Sequence, residues 1–222
     1  MAKSKRTKAH TRYYVEDGDT KTLVPGVTTV LNILSKPALV PWANKLGLKG
    51  IEVGKYVDDL ADIGTLGHAF VTDGLMGQET DTSDFTPNQV DSAQNSVLSW
   101  LAWEAEHPVE KTFWVEKPLV STIHRYGGTA DIYCQIGGRS ELIDLKTGRG
   151  IYEEAVYQVA TLKTLLEENG YPVDVCRILN IPRSEDEGFL EKVLTPKELD
   201  TGRKIFQNCL NIYYLKKEGK GK

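Results

Sequence analysis

The stretch GGTADIYCQIGGRSELIDLKTG, residues 127–148, constrains the fold more than any other part of the chain. Residues 124–136 and 141–145 read as strands joined through Gly137-Gly138, a dipeptide suited to the left-handed backbone of a tight hairpin turn. Such a hairpin carries Asp131 on its first strand and Asp144 on its second, with Lys146 two residues further on. Residues two apart on a strand share a face, so Asp144 and Lys146 project together while Ile143 and Leu145 point the other way into a core.

Two converging carboxylates repel each other, and a divalent cation removes that cost. Oxygen-only and mixed oxygen–imidazole sites suit Mg2+ or Mn2+. Such an ion polarises a phosphoryl oxygen and acidifies a bound water. An adjacent ammonium, Lys146, can orient that water or stabilise the developing charge, and the Leu145 backbone carbonyl is a further candidate ligand. An Asp-x-Lys sequence alone arises often by chance and equally describes a solvated ion pair on an edge strand. Asp131 across the Gly-Gly turn, and Lys146-Thr147-Gly148 ending the strand, favour a site.

The rest of the chain gives this hairpin its setting. Residues 13–23 suggest a small hairpin around Asp17-Gly18-Asp19, and Pro25-Gly26 ends it. Thr28 or Thr29 is placed to cap a short helix reaching Leu34, and Pro37 and Pro41 punctuate the next segment. Residues 51–76 read as helical with interruptions near Gly64 and Gly67. Thr86-Pro87 opens a clearer helix, with Val90, Ala93, Val97, Leu101 and Ala105 at helical spacing, and His107-Pro108 closes it. Strands over 109–120, 173–181 and 189–194, an amphipathic helix over 152–169 closed by Gly170, and a last helix from Thr195-Pro196 to about Leu215 complete the pattern. The expectation is an α/β fold with a central mixed sheet flanked by helices. In it, a basic segment and possible hairpin over 1–24 precede one domain over 25–217, helical over 25–108 and catalytic over 109–217, with a basic tail over 218–222.

Composition narrows the class. A length of 222 residues suits one compact domain, and 40% hydrophobic with 26% charged residues is ordinary for a soluble protein. No apolar run approaches the ~20 residues that span a bilayer, and the basic start lacks the apolar core of a secretory signal. Cys134, Cys176 and Cys209 are scattered and odd in number, which predicts buried thiols in a reducing cytoplasm. The net charge is −4, yet Lys3, Lys5, Arg6, Lys8 and Arg12 crowd the start and Lys216, Lys217, Lys220 and Lys222 the end. The first cluster reads equally as a phosphate-gripping arm or a solvated end, and the second as a solvated end.

The sequence GGTAD…ELIDLKTG…YQVATL resembles the PD-(D/E)XK nuclease superfamily in its RecB-like exonuclease branch, of the phage and mitochondrial-genome-maintenance type. Asp131 matches the first acid of that pattern, Asp144 and Lys146 its (D/E)xK pair, and Gln158 the glutamine of the following helix. GTLGHAF places His68 where the branch carries an upstream metal-ligating histidine, and GVTTVLNIL is similar to its N-terminal segment. The similarity extends from about Val24 to Leu215. Leu162 departs from the tyrosine often found four residues after the glutamine, and three scattered cysteines exclude the iron–sulfur members.

The resemblance implies a Mg2+- or Mn2+-dependent deoxyribonuclease with no iron–sulfur cluster, most simply an exonuclease. His68, Asp131, Asp144 and the Leu145 carbonyl would hold one or two ions, Lys146 would position the attacking water, and Gln158 would support it. It implies DNA as partner, no membrane, and a cytoplasmic role in phage or bacterial recombination, repair or replication. A structure-specific endonuclease and a non-catalytic DNA-binding module on the same fold are the alternatives. Glu116 is a candidate second carboxylate, Thr147 and Arg149 are candidate phosphate contacts, and Trp42 is a candidate base-stacking residue. Trp100 and Trp103 read as core, and Asp58, Asp59 and Asp62 as a solvated helix face.

Overall fold

A computed structural model describes residues 11–184 and 186–219. The basic residues Lys3, Lys5, Arg6, Lys8, Lys220 and Lys222 lie outside the described residues. The chain begins with an antiparallel hairpin, β1 (Tyr13–Asp17) and β2 (Thr20–Val24), turning at Gly18. Four helices follow: α1 (Val27–Leu31), α2 (Leu39–Leu48), α3 (Val53–Leu75) and α4 (Pro87–Glu106). The second half runs β3 (Lys111–Ser121), β4 (Tyr126–Ile136), β5 (Arg139–Lys146), α5 (Glu153–Glu168), β6 (Val175–Asn180), β7 (Leu190–Val193) and α6 (Pro196–Glu218).

Strands β3 to β7 form one sheet in sequence order, with β5 and β6 parallel and the other neighbours antiparallel. A parallel pair needs a crossover, and α5 supplies it. One face of the sheet packs Leu142 and Ile178 against Val30 of α1, Leu162 and Leu165 of α5, and Phe206 of α6. The other buries Ile132, Ile143, Leu145 and Leu179 with Val71 of α3 and Trp100 and Trp103 of α4. The fold is thus α/β, a mixed sheet between two helical layers, and both tryptophans are core. The three cysteines are free and buried, and burial pushes the thiols of Cys134 and Cys176 up to about 12.

The β4–β5 turn follows the sequence. Gly137 and Gly138 both have positive φ, 55° and 73°, which a two-residue turn of this hand requires at both centres. Helix α4 starts as expected, with Thr86 and Gln89 capping each other and Pro87 in the first turn.

Three expectations are corrected. Residues 53–75 form one uninterrupted helix, because Gly64 and Gly67 serve close packing rather than a break. Helix α1 begins at Val27 behind Gly26, with no side-chain cap from Thr28 or Thr29, and ends at Leu31. The segment around Pro37 and Pro41 is helical as α2, since Pro41 falls in the first turn, where its missing N–H has no intrahelical partner to lose.

Candidate active site

The β4–β5 ladder pairs Ile132 with Ile143 and goes no further toward Asp131. Beyond it, the Leu145 backbone N–H donates to Asp131 Oδ2 at 2.9 Å, so a carboxylate takes the bond a neighbouring strand would otherwise accept. Asp131 and Asp144 therefore stand at the point where the two strands part. The Lys146 ammonium lies 2.5 Å from Asp144 Oδ2 and 3.4 Å from the Leu145 carbonyl oxygen.

Asp144 is fully buried, and neither of its oxygens receives a well-aimed hydrogen bond from a described residue. The Lys146 contact to Oδ2 is therefore a charge contact of poor hydrogen-bond geometry, and Oδ1 lacks even that. Burial pushes the Asp144 carboxyl up to about 6; Asp131 pushes the same way, while Lys146 and His68 oppose it. Burial acts to lower Lys146, but Asp144 and Asp131 outweigh it, so its pKa ends above the ordinary value and the group stays an ammonium.

Helix α3 supplies the third side of the site. His68 Nδ1 lies 3.8 Å from Asp131 Oδ2. Close approach of this helix to the end of β5 depends on Gly64, where a Cβ would stand 2.5 Å from Thr147 Oγ1. His68 and Asp131 face a cleft of about 1420 Å³ that Glu116, Gln158 and Leu162 also line. On its other side His68 borders a smaller recess of about 380 Å³ with Thr65, Thr147 and Arg183.

Gln158 reaches the cleft because α5 packs on the Asp144 side of the sheet. Leu162, one turn later, fills the space above Gly128, where a Cβ would meet its Cδ2 at 2.7 Å. Glu116 sits on β3 between Val115, paired with Ile132, and Lys117, paired with Ala130. Its left-handed backbone, φ 45°, interrupts the ladder opposite Asp131.

Of the candidates, His68, Glu116, Asp131 and Gln158 line the cleft; Asp144, Leu145 and Lys146 stand behind Asp131 without lining it, Thr147 lines only the smaller recess, and Trp42 and Arg149 line neither. Trp42, partly exposed on α2, packs on Tyr56 with ring centroids 6.3 Å apart. Arg149 is largely exposed and 3.8 Å from Glu187. The acidic face of α3 is not simply solvated: Gln89 donates to Asp59 and Asp62, and Asp58 and Asp62 line the cleft. The cleft is also lined by Tyr13 and Tyr213, which the sequence does not single out, by Arg12 of the basic start, and by Lys217, which the sequence assigns to a solvated end. Only long-range packing brings these together, and no local spacing signals it.

Among the described residues no three His, Cys, Asp or Glu side chains are drawn together as a closed metal cage. The donors present nonetheless fit a hard divalent cation. Asp144 offers a buried oxygen without a hydrogen-bond partner, Asp131 a second carboxylate, and the Leu145 carbonyl and His68 complete an oxygen–imidazole set. No helix among the described residues is long and apolar enough to cross a membrane.

No protein family matches this sequence, and no curated protein does. Among solved structures, a candidate exonuclease from Eubacterium rectale is 12% identical with a TM-score of 0.49, over 65% of this chain and 64% of that one. The chain therefore spans somewhat less than two thirds of that protein's length. An alkaline exonuclease from Laribacter hongkongensis is 16% identical with a TM-score of 0.33, over 73% of this chain and 91% of that one. The same enzyme in complex with dAMP gives 15% identity and a TM-score of 0.32, over the same shares of the two chains.

Proposed function

We propose that this chain is a divalent-metal-dependent deoxyribonuclease of the PD-(D/E)XK superfamily, RecB-like branch, acting as an exonuclease. One observation carries the reading: a fully buried Asp144 with an oxygen lacking a partner, paired to Lys146 and adjoining Asp131 at the end of the sheet. A buried carboxylate this poorly satisfied is costly, and a bound cation would offset that cost. The matching of Asp131, Asp144, Lys146, Gln158 and His68 to the family pattern supports the same reading.

Asp131, Asp144, His68 and the Leu145 carbonyl would hold Mg2+ or Mn2+. When bound, the ion supplies Lewis acidity and lowers the pKa of a coordinated water. Asp144 orients the Lys146 ammonium, which stabilises the charge that develops on the attacked phosphate. The cleft exceeds the ~300–1,000 Å³ of ordinary small-molecule sites, which suits a polymer strand. Gln158, on the cleft wall, supports the strand or the water. A cytoplasmic role in phage or bacterial recombination, repair or replication belongs to the same proposal.

The test is digestion of end-labelled linear DNA, single- and double-stranded, beside covalently closed circles, with Mg2+ or Mn2+ and with EDTA. The proposal expects metal-dependent shortening of linear DNA from an end and intact circles. Cleaved circles would replace the exonuclease by an endonuclease. No cleavage of any DNA would leave only a binding module.

A further inference from the structure

The large cleft has two unlike walls. Asp58 and Asp62 of α3, together with Asp84, line one side. The other side is built from β1, α1 and the C-terminal end of α6, and it carries Arg12, Thr28, Thr29, Tyr213 and Lys217. Tyr213 and Lys217 are one helical turn apart on α6 and so share a face. Neither Arg12 nor Lys217 makes an ion pair with a described residue, whereas most other basic side chains near the sheet are neutralised, as Arg177 is by Glu141 and Arg183 by Glu187.

This wall is held in place. The Tyr214 hydroxyl donates to the Arg125 carbonyl, and the Arg125 guanidinium pairs with Asp17 at 2.9 Å, tying α6 to the β1–β2 hairpin. Tyr13, next to Arg12, shares a 2.8 Å hydrogen bond with Thr129, two residues from Asp131. Its ring lies over Gly127 so closely that a Cβ there would stand 2.2 Å from it. The backbone that carries the two exposed cations is thus anchored beside the acids, Arg12 through its neighbour Tyr13 and Lys217 through α6.

We infer that the β1–α1–α6 wall is a backbone-phosphate track, in which Arg12 and Lys217 hold successive phosphates of a DNA strand leading to Asp131. This deepens the nuclease reading and rests on it. The acidic wall opposite repels the same phosphates, so the strand lies against one side of the cleft with one defined approach to the acids. The hydroxyls of Thr28 and Thr29 offer donors along the path, and the part-buried Tyr213 ring offers a stacking surface. Lys217, which composition alone assigns to a solvated tail, becomes part of the site.

The test is binding of a fluorescein-labelled oligonucleotide in EDTA, measured by anisotropy as a function of salt. The parent, Arg12→Ala, Lys217→Ala and Lys216→Ala are compared, thermal unfolding serving as the check on folding. Lys216 is the control: it removes the same charge from the same turn of α6, but it lies outside the cleft. Each released phosphate contact lowers the slope of log K against log salt by about 0.7 on a single strand or about 0.9 on a duplex. The track predicts such a fall for Arg12→Ala and Lys217→Ala, and a parent-like slope for Lys216→Ala. Equal slopes for all four proteins, or an equal fall with Lys216→Ala, would overturn it while leaving the nuclease reading intact. A parent that binds no DNA in EDTA would also overturn the track, while the nuclease reading stands or falls on the cleavage assay alone.

Discussion

Asp131 and Leu145 are joined where β4 and β5 part, the Asp131 carboxylate accepting the Leu145 N–H at 2.9 Å. The same carboxylate lies 3.8 Å from the His68 ring nitrogen. It therefore closes the sheet and faces the cleft at once, and these two roles can be separated. Asp131→Asn keeps an oxygen acceptor for Leu145 but removes the charge. Asp131→Ala leaves the N–H unpaired, at a cost of about 1–3 kcal/mol. Thermal unfolding without metal is expected to rank the asparagine variant near the parent and the alanine variant below it. Neither variant is expected to gain stability from Mn2+.

The buried Asp144 sets a pH dependence of known sign. Its folded pKa, about 6, lies above the ordinary 3.8, so the folded state favours the protonated form. The contribution to stability is complete below about pH 4 and is lost as pH rises through about 6. In EDTA, the parent is expected to lose stability relative to Asp144→Asn between pH 4 and pH 7. A difference of ~1 kcal/mol corresponds to ~2–4 °C in melting temperature for a chain of this size. A parent that gains on the variant over that range would contradict the burial of this carboxylate.

Gly64 gives a prediction opposite to helix propensity. Alanine in a helix interior ordinarily stabilises by ~1 kcal/mol over glycine. At Gly64 the added Cβ meets Thr147 Oγ1 at 2.5 Å, so Gly64→Ala is expected to destabilise and to cut activity by displacing His68. Gly74, on the same helix with nothing within 4 Å, is the control, and Gly74→Ala is expected to stabilise. Adding Thr147→Ala to Gly64→Ala removes the clashing oxygen and is expected to restore part of both losses, measured as a double-mutant cycle.

The second buried charge network lies away from the acids. Arg177 bonds both oxygens of the fully buried Glu141, at 3.0 and 3.2 Å, and its guanidinium lies over the Trp103 ring. Removing one partner strands the other charge, at a cost of about 3–5 kcal/mol. Chemical denaturation is expected to show that loss for Arg177→Ala, while activity per folded molecule stays at the parent level.

Much of the site is legible in the sequence because its signals are local. Gly137-Gly138 encodes its own turn, and the Asp144–Lys146 spacing encodes a shared face. Helices α4 and α6 announce their starts through Thr86-Pro87 and Thr195-Pro196, and both carry capping boxes. What stays illegible is set by distant parts of the chain. Gly64 and Gly67 look like helix breaks until Thr147 and Ser96 are packed against them. Glu116 is legible as a candidate carboxylate, but nothing in EKP foretells its left-handed backbone opposite Asp131. Lys217 looks like part of a charged tail until α6 is docked beside α1.

The central claim is that Asp144 and Lys146 carry metal-dependent hydrolysis of DNA. It is tested most directly by the cleavage rate of end-labelled DNA in saturating Mg2+ or Mn2+ for the parent, Asp144→Asn and Lys146→Ala, each first shown to be folded. The account predicts cleavage by the parent that EDTA abolishes, and a loss of about 10²–10³-fold or more in each variant. Undiminished cleavage by both variants would contradict it.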